Sequence, residues 1–122
     1  MSDVTTTVDR YIALWNETSQ EARTAGIAEV FAAKAIYTDP LADVAGHDGI
    51  DAVIAGAQAQ FPGFTFKLLD AVDSNHNIAR FTWELVPAAG GESLVIGADV
   101  AVFGEDGKIR AVYGFLNKGP SA

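Results

Sequence analysis

Apolar residues recur at helical spacing through the first half of the chain and at alternate positions through the second. Val4, Val8, Tyr11, Ile12 and Trp15 fall at steps of three and four, which predicts an amphipathic first helix. Residues 16–19 interrupt that stripe. Thr18 followed by Glu21 has the spacing of a capping box, opening a second helix that buries Ile27, Val30 and Phe31. Residues 35–38 read as a short strand closed by Asp39-Pro40. A third helix follows, with Asp48 as its N-cap and Ile50, Val53, Ile54, Ala57 and Phe61 as its apolar side. Pro62-Gly63 ends it.

From Phe64 onward the period falls to two. Phe64, Phe66 and Leu68 alternate with Thr65 and Lys67; Ala79, Phe81, Trp83 and Leu85 alternate with Arg80, Thr82 and Glu84. Turns at 74–77, 88–91 and 105–108 separate these runs from a long apolar strand at 94–103 and a last strand at 109–116. Helices first and an antiparallel meander afterwards predict an α+β domain, with N-terminal helices packed in a strongly curved, mainly antiparallel sheet. The face of that sheet away from the helices needs cover, and a homodimer is the natural way to supply it.

A chain of 122 residues fits a single domain, 1–122, and 49% apolar composition suits a folded globular one. The chain has no cysteine, which removes disulfides, thiolate metal sites and cysteine nucleophiles. Sixteen acidic residues against eight basic give a net charge of −8, which disfavours nucleic acid and anionic membrane surfaces as partners. The start, Met1-Ser2-Asp3-Val4-Thr5, lacks the basic and apolar regions of a secretory signal, so the expected location is cytoplasmic.

Against this background a few polar residues stand out. Asp99 interrupts the apolar strand Val95-Ile96-Gly97-Ala98-Asp99-Val100-Ala101-Val102-Phe103, on the same face as Val95, Ala101 and Phe103. A carboxyl there is costly to ionise, so its pKa should rise. The structural alternative pairs it with Arg80. Asp39 shares parity with Tyr37 and so faces the core if Tyr37 does; the alternative is a simple Asp-Pro turn starter. Tyr11 lies on the apolar stripe, where its hydroxyl is either a partnered core group or a donor into a pocket. Trp15, Phe61, Phe66, Trp83, Phe103 and Phe115 supply the core, and Trp15, Phe61, Trp83 and Phe103, with His47, are candidates for substrate-binding walls. His76 sits in a polar turn. Two isolated histidines give no metal site, and no phosphate-binding loop, dinucleotide fingerprint or nucleophile elbow occurs, so neither cofactor nor metal is expected.

The order of Asp9-Arg10-Tyr11-Ile12-Ala13-Leu14-Trp15-Asn16, Tyr37-Thr38-Asp39-Pro40, Asp99-Val100-Ala101-Val102-Phe103 and Gly107-Lys108-Ile109-Arg110 resembles the SnoaL-like and ketosteroid-isomerase-like branches of the nuclear transport factor 2-like superfamily. The resemblance implies a cone-shaped, cystatin-like roll. It also implies that Asp39 matches a general base, while Tyr11 and a protonated Asp99 match an oxyanion hole. The expected function is that of a cofactor-free isomerase or polyketide cyclase, acting on an apolar small molecule by proton abstraction next to a carbonyl. The alternative is a non-catalytic ligand-binding or dimerisation domain. A limonene-epoxide-hydrolase-like site is disfavoured, because Thr82 and Gly114 stand where it needs carboxylates.

Overall fold

The computed structural model describes residues 4–119. Met1, Ser2 and Asp3, on which the expectation of no secretory signal partly rests, lie outside them. Among the described residues two helices come first, α1 (Val4–Asn16) and α2 (Gln20–Val30), and a third, α3 (Gly46–Gln60), follows two strands. The strands are β1 (Phe31–Asp39), β2 (Ala42–Ala45), β3 (Phe64–Leu68), β4 (Asp73–Asn75), β5 (Ile78–Pro87), β6 (Val95–Phe103) and β7 (Ile109–Lys118). They form one mixed sheet in the order β2-β1-β7-β6-β5-β3, with β4 also paired to β5. All pairs are antiparallel except β1 with β7. The sheet is curved and does not close, and the helices fill its concave side.

The alternation foreseen for β6 holds at every position. Val95, Gly97, Asp99, Ala101 and Phe103 are buried, while the residues between them are half-buried on the opposite face. On β1 the residues facing the helices include Ala35 and Tyr37, both buried. Register shifts interrupt β1 against β7, between Phe31 and Ile36, and β6 against β7 near both ends of β6. Such irregularities bend a strand and increase its twist, which lets the sheet wrap around α1 and α3. The convex face keeps Ile36, Ile78 and Tyr113 exposed.

Four local expectations are corrected. The N-cap of α2 is Ser19, whose hydroxyl accepts from Ala22 N at 3.3 Å; Glu17, rather than Glu21, returns a bond to the Ser19 N–H. Thr18 and Ser19 both carry a hydroxyl that can cap a helix, so residue type alone places the start only to within one position. Phe31 ends the helix and begins β1 without a loop, although its N–H still bonds to Ile27 O. Strand β2 escapes a periodicity search because it is only four residues long and made of small or polar side chains. The N-cap of α3 is Ala45, which offers no side-chain bond, and Asp48 lies inside the first turn.

Polar clamps hold α1 in place. Arg23, 5% exposed, pairs with Asp51 of α3 at 2.5 Å and also donates to Glu17 O and Gln58 Oε1. Gln58 donates to Trp15 O and Glu17 O, so the open carbonyl end of α1 is satisfied by side chains of two other helices. Asn16 then acts as a surrogate strand partner: its amide accepts from Phe66 N at 2.8 Å and donates to Phe66 O at 2.9 Å, pinning β3. Removing one member of a buried pair leaves its partner uncompensated. Arg23→Ala is therefore expected to lower stability by about 3–5 kcal/mol in urea unfolding, whereas Arg80→Ala, which breaks an exposed pair with Asp73, changes it little.

Candidate active site

Between α1, α3 and the concave face of the sheet lies a cavity of about 250 Å³. Its walls are mainly apolar and aromatic, with Trp15, Phe61, Phe66 and Trp83 among them. Leu41 and Phe115, 80% and 61% exposed, also belong to its lining and form an apolar rim. One region is polar, where Tyr11, Tyr37, Asp39 and Asp99 meet. No lysine, arginine or histidine lines the cavity among the described residues.

Asp99 is 2% exposed, and its Oδ2 accepts a hydrogen bond from the Tyr11 hydroxyl at 2.8 Å. Burial pushes its pKa up to about 6. The hydrogen bond from Tyr11 and the nearby Trp83 indole pull the other way, and the charge of Asp39 adds to the rise. Arg80 is not its partner: that residue pairs with Asp73 on the solvent side, one position out of phase with the concave face. Asp99 faces Gly114 across the sheet. A Cβ at Gly114 would come within 2.8 Å of Asp99 Oδ1 and 3.2 Å of Asp39 Cβ. The two acids therefore share the hollow left by that glycine. Gly97 plays a similar part for Trp83, whose ring would lie 2.2 Å from a Cβ there.

Asp39 serves two purposes. Its Oδ1 accepts from Leu41 N and Ala42 N, both at 2.8 Å, and so caps the turn into β2. Its Oδ2 accepts from the Tyr37 hydroxyl at 2.5 Å. The turn-starter role and the pocket role thus belong to different oxygens of one carboxyl group.

Tyr11 and Tyr37 are both almost fully buried. Burial above all, then the negative charge of Asp99, raises the pKa of each well above the usual tyrosine value. Both stay neutral and able to donate across the ordinary pH range. Tyr37 is a cavity residue that sequence reasoning misses; its signal is the parity it shares with Asp39, which by itself only orients the aspartate.

Of the expected wall residues, Trp15, Phe61 and Trp83 line the cavity. Phe103 and His47 do not. Phe103 is a core residue near the far end of β6, beyond Ala101. The His47 Nε2 lies 3.1 Å from both Phe31 O and Ala32 O, at the irregular start of β1. Phe66 packs against the core and also lines the cavity, and Phe115 is largely exposed at the rim. Among the described residues, no group of three or more histidine, aspartate or glutamate side chains is placed to hold a metal ion, and no helix is long and apolar enough to cross a membrane.

The sequence pattern of the SnoaL-like domain matches residues 8–112. A candidate isomerase of the SnoaL-like family from Agrobacterium tumefaciens str. C58 is similar at 35% identity and a TM-score of 0.89, over 96% of this chain and 99% of its own. An NTF2-like protein of unknown function from Exiguobacterium sp. 255-15 is 19% identical with a TM-score of 0.71, over 91% and 98%. AclR, a candidate hydroxylase from Streptomyces galilaeus, is 11% identical with a TM-score of 0.68, over 96% and 90%. The last two likenesses show the fold alone. No curated protein matches the chain in sequence.

The raised pKa of Asp99 makes a stability prediction. The folded state holds the proton up to about pH 6, while the unfolded chain releases it near 3.8. Stability from this group is complete below 3.8 and is lost as pH rises through about 6, a loss on the order of 3 kcal/mol. Urea unfolding of the wild type and Asp99→Asn at pH 4 and pH 7.5 should show the wild type losing that amount relative to the variant. A difference that does not change with pH contradicts the assignment.

Proposed function

The chain belongs to the SnoaL-like domain family of the nuclear transport factor 2-like superfamily, and from that premise we propose that it is a cofactor-free acid–base enzyme that removes a proton next to the carbonyl of an apolar, cyclic ketone or ester. The observation that carries this reading is the buried Asp99, hydrogen-bonded to Tyr11 and sharing one hollow with Asp39 at the polar end of an otherwise apolar cavity. Two carboxyls in unlike surroundings are suited to unlike tasks. Asp39, tied to two backbone N–H groups and a hydroxyl, is the base. Asp99 in its protonated form and Tyr11 are the donors to the developing enolate oxygen.

In this mechanism the α-proton passes to Asp39 Oδ2 while the carbonyl π pair moves onto oxygen. The enolate oxygen accepts from Tyr11 and from protonated Asp99. Return of the proton to a different carbon gives the isomer and restores both acids. Attack of the carbanion on a second carbonyl in the same molecule would give a cyclised product instead. Similarity to the Agrobacterium candidate isomerase favours the first outcome. A cavity free of cationic side chains favours an uncharged substrate over a carboxylate or phosphate ester. The working form in this reading is a homodimer, two copies covering the exposed residues of the convex face.

A second reading has its own support. Both tyrosine hydroxyls already donate to carboxylates, which suits a pocket that binds an apolar ligand without chemistry. Turnover of β,γ-unsaturated cyclic ketones, followed by the absorbance of the conjugated enone, separates the two. Asp39→Asn is expected to abolish turnover. Asp99→Ala is expected to lower kcat by about 100-fold or more. In the wild type kcat/KM should fall as pH rises through about 6, when Asp99 loses its proton. In Asp99→Asn, whose amide donates at every pH, that fall should vanish. Absence of turnover on every ketone favours the binding domain.

A further inference from the structure

Trp15 Nε1 is the one buried side-chain polar atom, among the described residues, that has no hydrogen-bond partner. The residue is 8% exposed and forms a wall of the cavity. Its placement is firm: Gln58 holds its carbonyl oxygen, and the next residue, Asn16, pins β3. The ring packs against Phe66, Tyr37 and Tyr11, with centroids 5.4, 5.7 and 6.2 Å away. A buried indole N–H without an acceptor is destabilising, and a phenyl ring could form much of the same wall without that cost.

An indole N–H can only donate, so it needs an acceptor. Two hydroxyl oxygens belong to the tyrosine rings it touches. Tyr11 directs its hydrogen to Asp99 and Tyr37 directs its hydrogen to Asp39, which leaves lone pairs on each oxygen. Trp15 lies one helical turn from Tyr11 on the same face of α1. Its indole is near enough to the Tyr11 hydroxyl to favour the ionised form of that group, although no hydrogen bond is closed between them.

We propose that Trp15 is a positioning residue of this site, whose Nε1–H closes onto the Tyr11 hydroxyl oxygen when Tyr11 turns its own hydrogen from Asp99 to a ligand oxygen that carries negative charge. The inference rests on the acid–base reading above and deepens it. The Tyr11 hydroxyl donates more strongly to a charged oxygen than to a neutral one, and a bond that it accepts from Trp15 is strengthened with it, because hydrogen bonds in a chain polarise one another. A donor left waiting in the resting state and engaged only as charge builds favours the enolate over the ketone. Trp15 thereby makes the pocket selective for ligands whose oxygen takes up charge, namely enolates and phenolates, and acts on kcat more than on KM.

The test uses 2-naphthol, a flat phenol whose ionised form imitates an enolate. The chain has two tryptophans, so proton NMR shows two indole N–H signals, and the Trp15 signal is the one lost in Trp15→Phe. Saturating 2-naphthol should move that signal downfield in the wild-type protein. The ratio of ionised to neutral bound 2-naphthol, read by absorbance at fixed pH, should fall about tenfold in Trp15→Phe. Naphthalene, which lacks the oxygen, should bind both proteins alike. An unmoved Trp15 signal with 2-naphthol bound, or an unchanged ionised ratio in the variant, overturns the inference and leaves the acid–base reading standing. Failure of the wild type to bind 2-naphthol overturns both. If Trp15→Phe does not fold, the wild-type titration decides, with Trp83→Phe assigning the signals.

Discussion

A carboxyl group in an apolar interior, bonded to one hydroxyl, is the constraint around which the molecule is arranged. Asp99 lies at the middle of β6, and Tyr11 reaches it from the middle of α1. Burying a charge there is costly, so the group leans toward its neutral form. The surroundings satisfy that preference without removing it. Among the described residues no cation lies beside Asp99, and the nearby charge is the like one on Asp39. A protein needing only stability would gain from an apolar residue at this position. The retained acid is intelligible if its proton is used.

The rest of the fold keeps that pair in register. The open carbonyl end of α1 is closed by Arg23 and Gln58, and its last residue is bonded into the edge of β3. These contacts lie away from the acids, yet they fix the helix that presents both Tyr11 and Trp15. On the sheet side, absence of a side chain at Gly114 brings Asp39 and Asp99 over one hollow, and absence of a side chain at Gly97 lets the Trp83 ring lie against β6. Aromatic rings then surround the polar end on several sides. The result is a cavity whose donor groups lie buried among aromatic rings, where electrostatic effects are stronger than in water.

Much of this was legible in the sequence because it follows from period and polarity. The stripe on α1 and the lone aspartate in an apolar strand each announced a burial that the structure contains. Parity alone placed Asp39 beside Tyr37. What escaped depends on partners distant in the chain. The parallel pairing of β1 with β7 leaves no local pattern, and β2 is too short to show one. Tyr37 reads as an ordinary core residue until its hydroxyl is seen on Asp39. His47 carries a chemically versatile ring, but two carbonyl groups at an irregular strand start, rather than the cavity, hold it. Gly114 looked like a missing carboxylate, and its meaning came only from the two acids packed against it.

Asp99 is thus an acid tuned by burial and held by Tyr11. Titration of the Asp99 side-chain carboxyl carbon by NMR, in the wild type and in Tyr11→Phe, tests it most directly. A midpoint at about 6 is expected in the wild type, and a higher one in Tyr11→Phe, where a hydrogen bond that favours the carboxylate is gone. A midpoint at or below the ordinary aspartate value, unmoved by Tyr11→Phe, would contradict it and would leave Asp99 as a structural carboxylate in a pocket without acid chemistry.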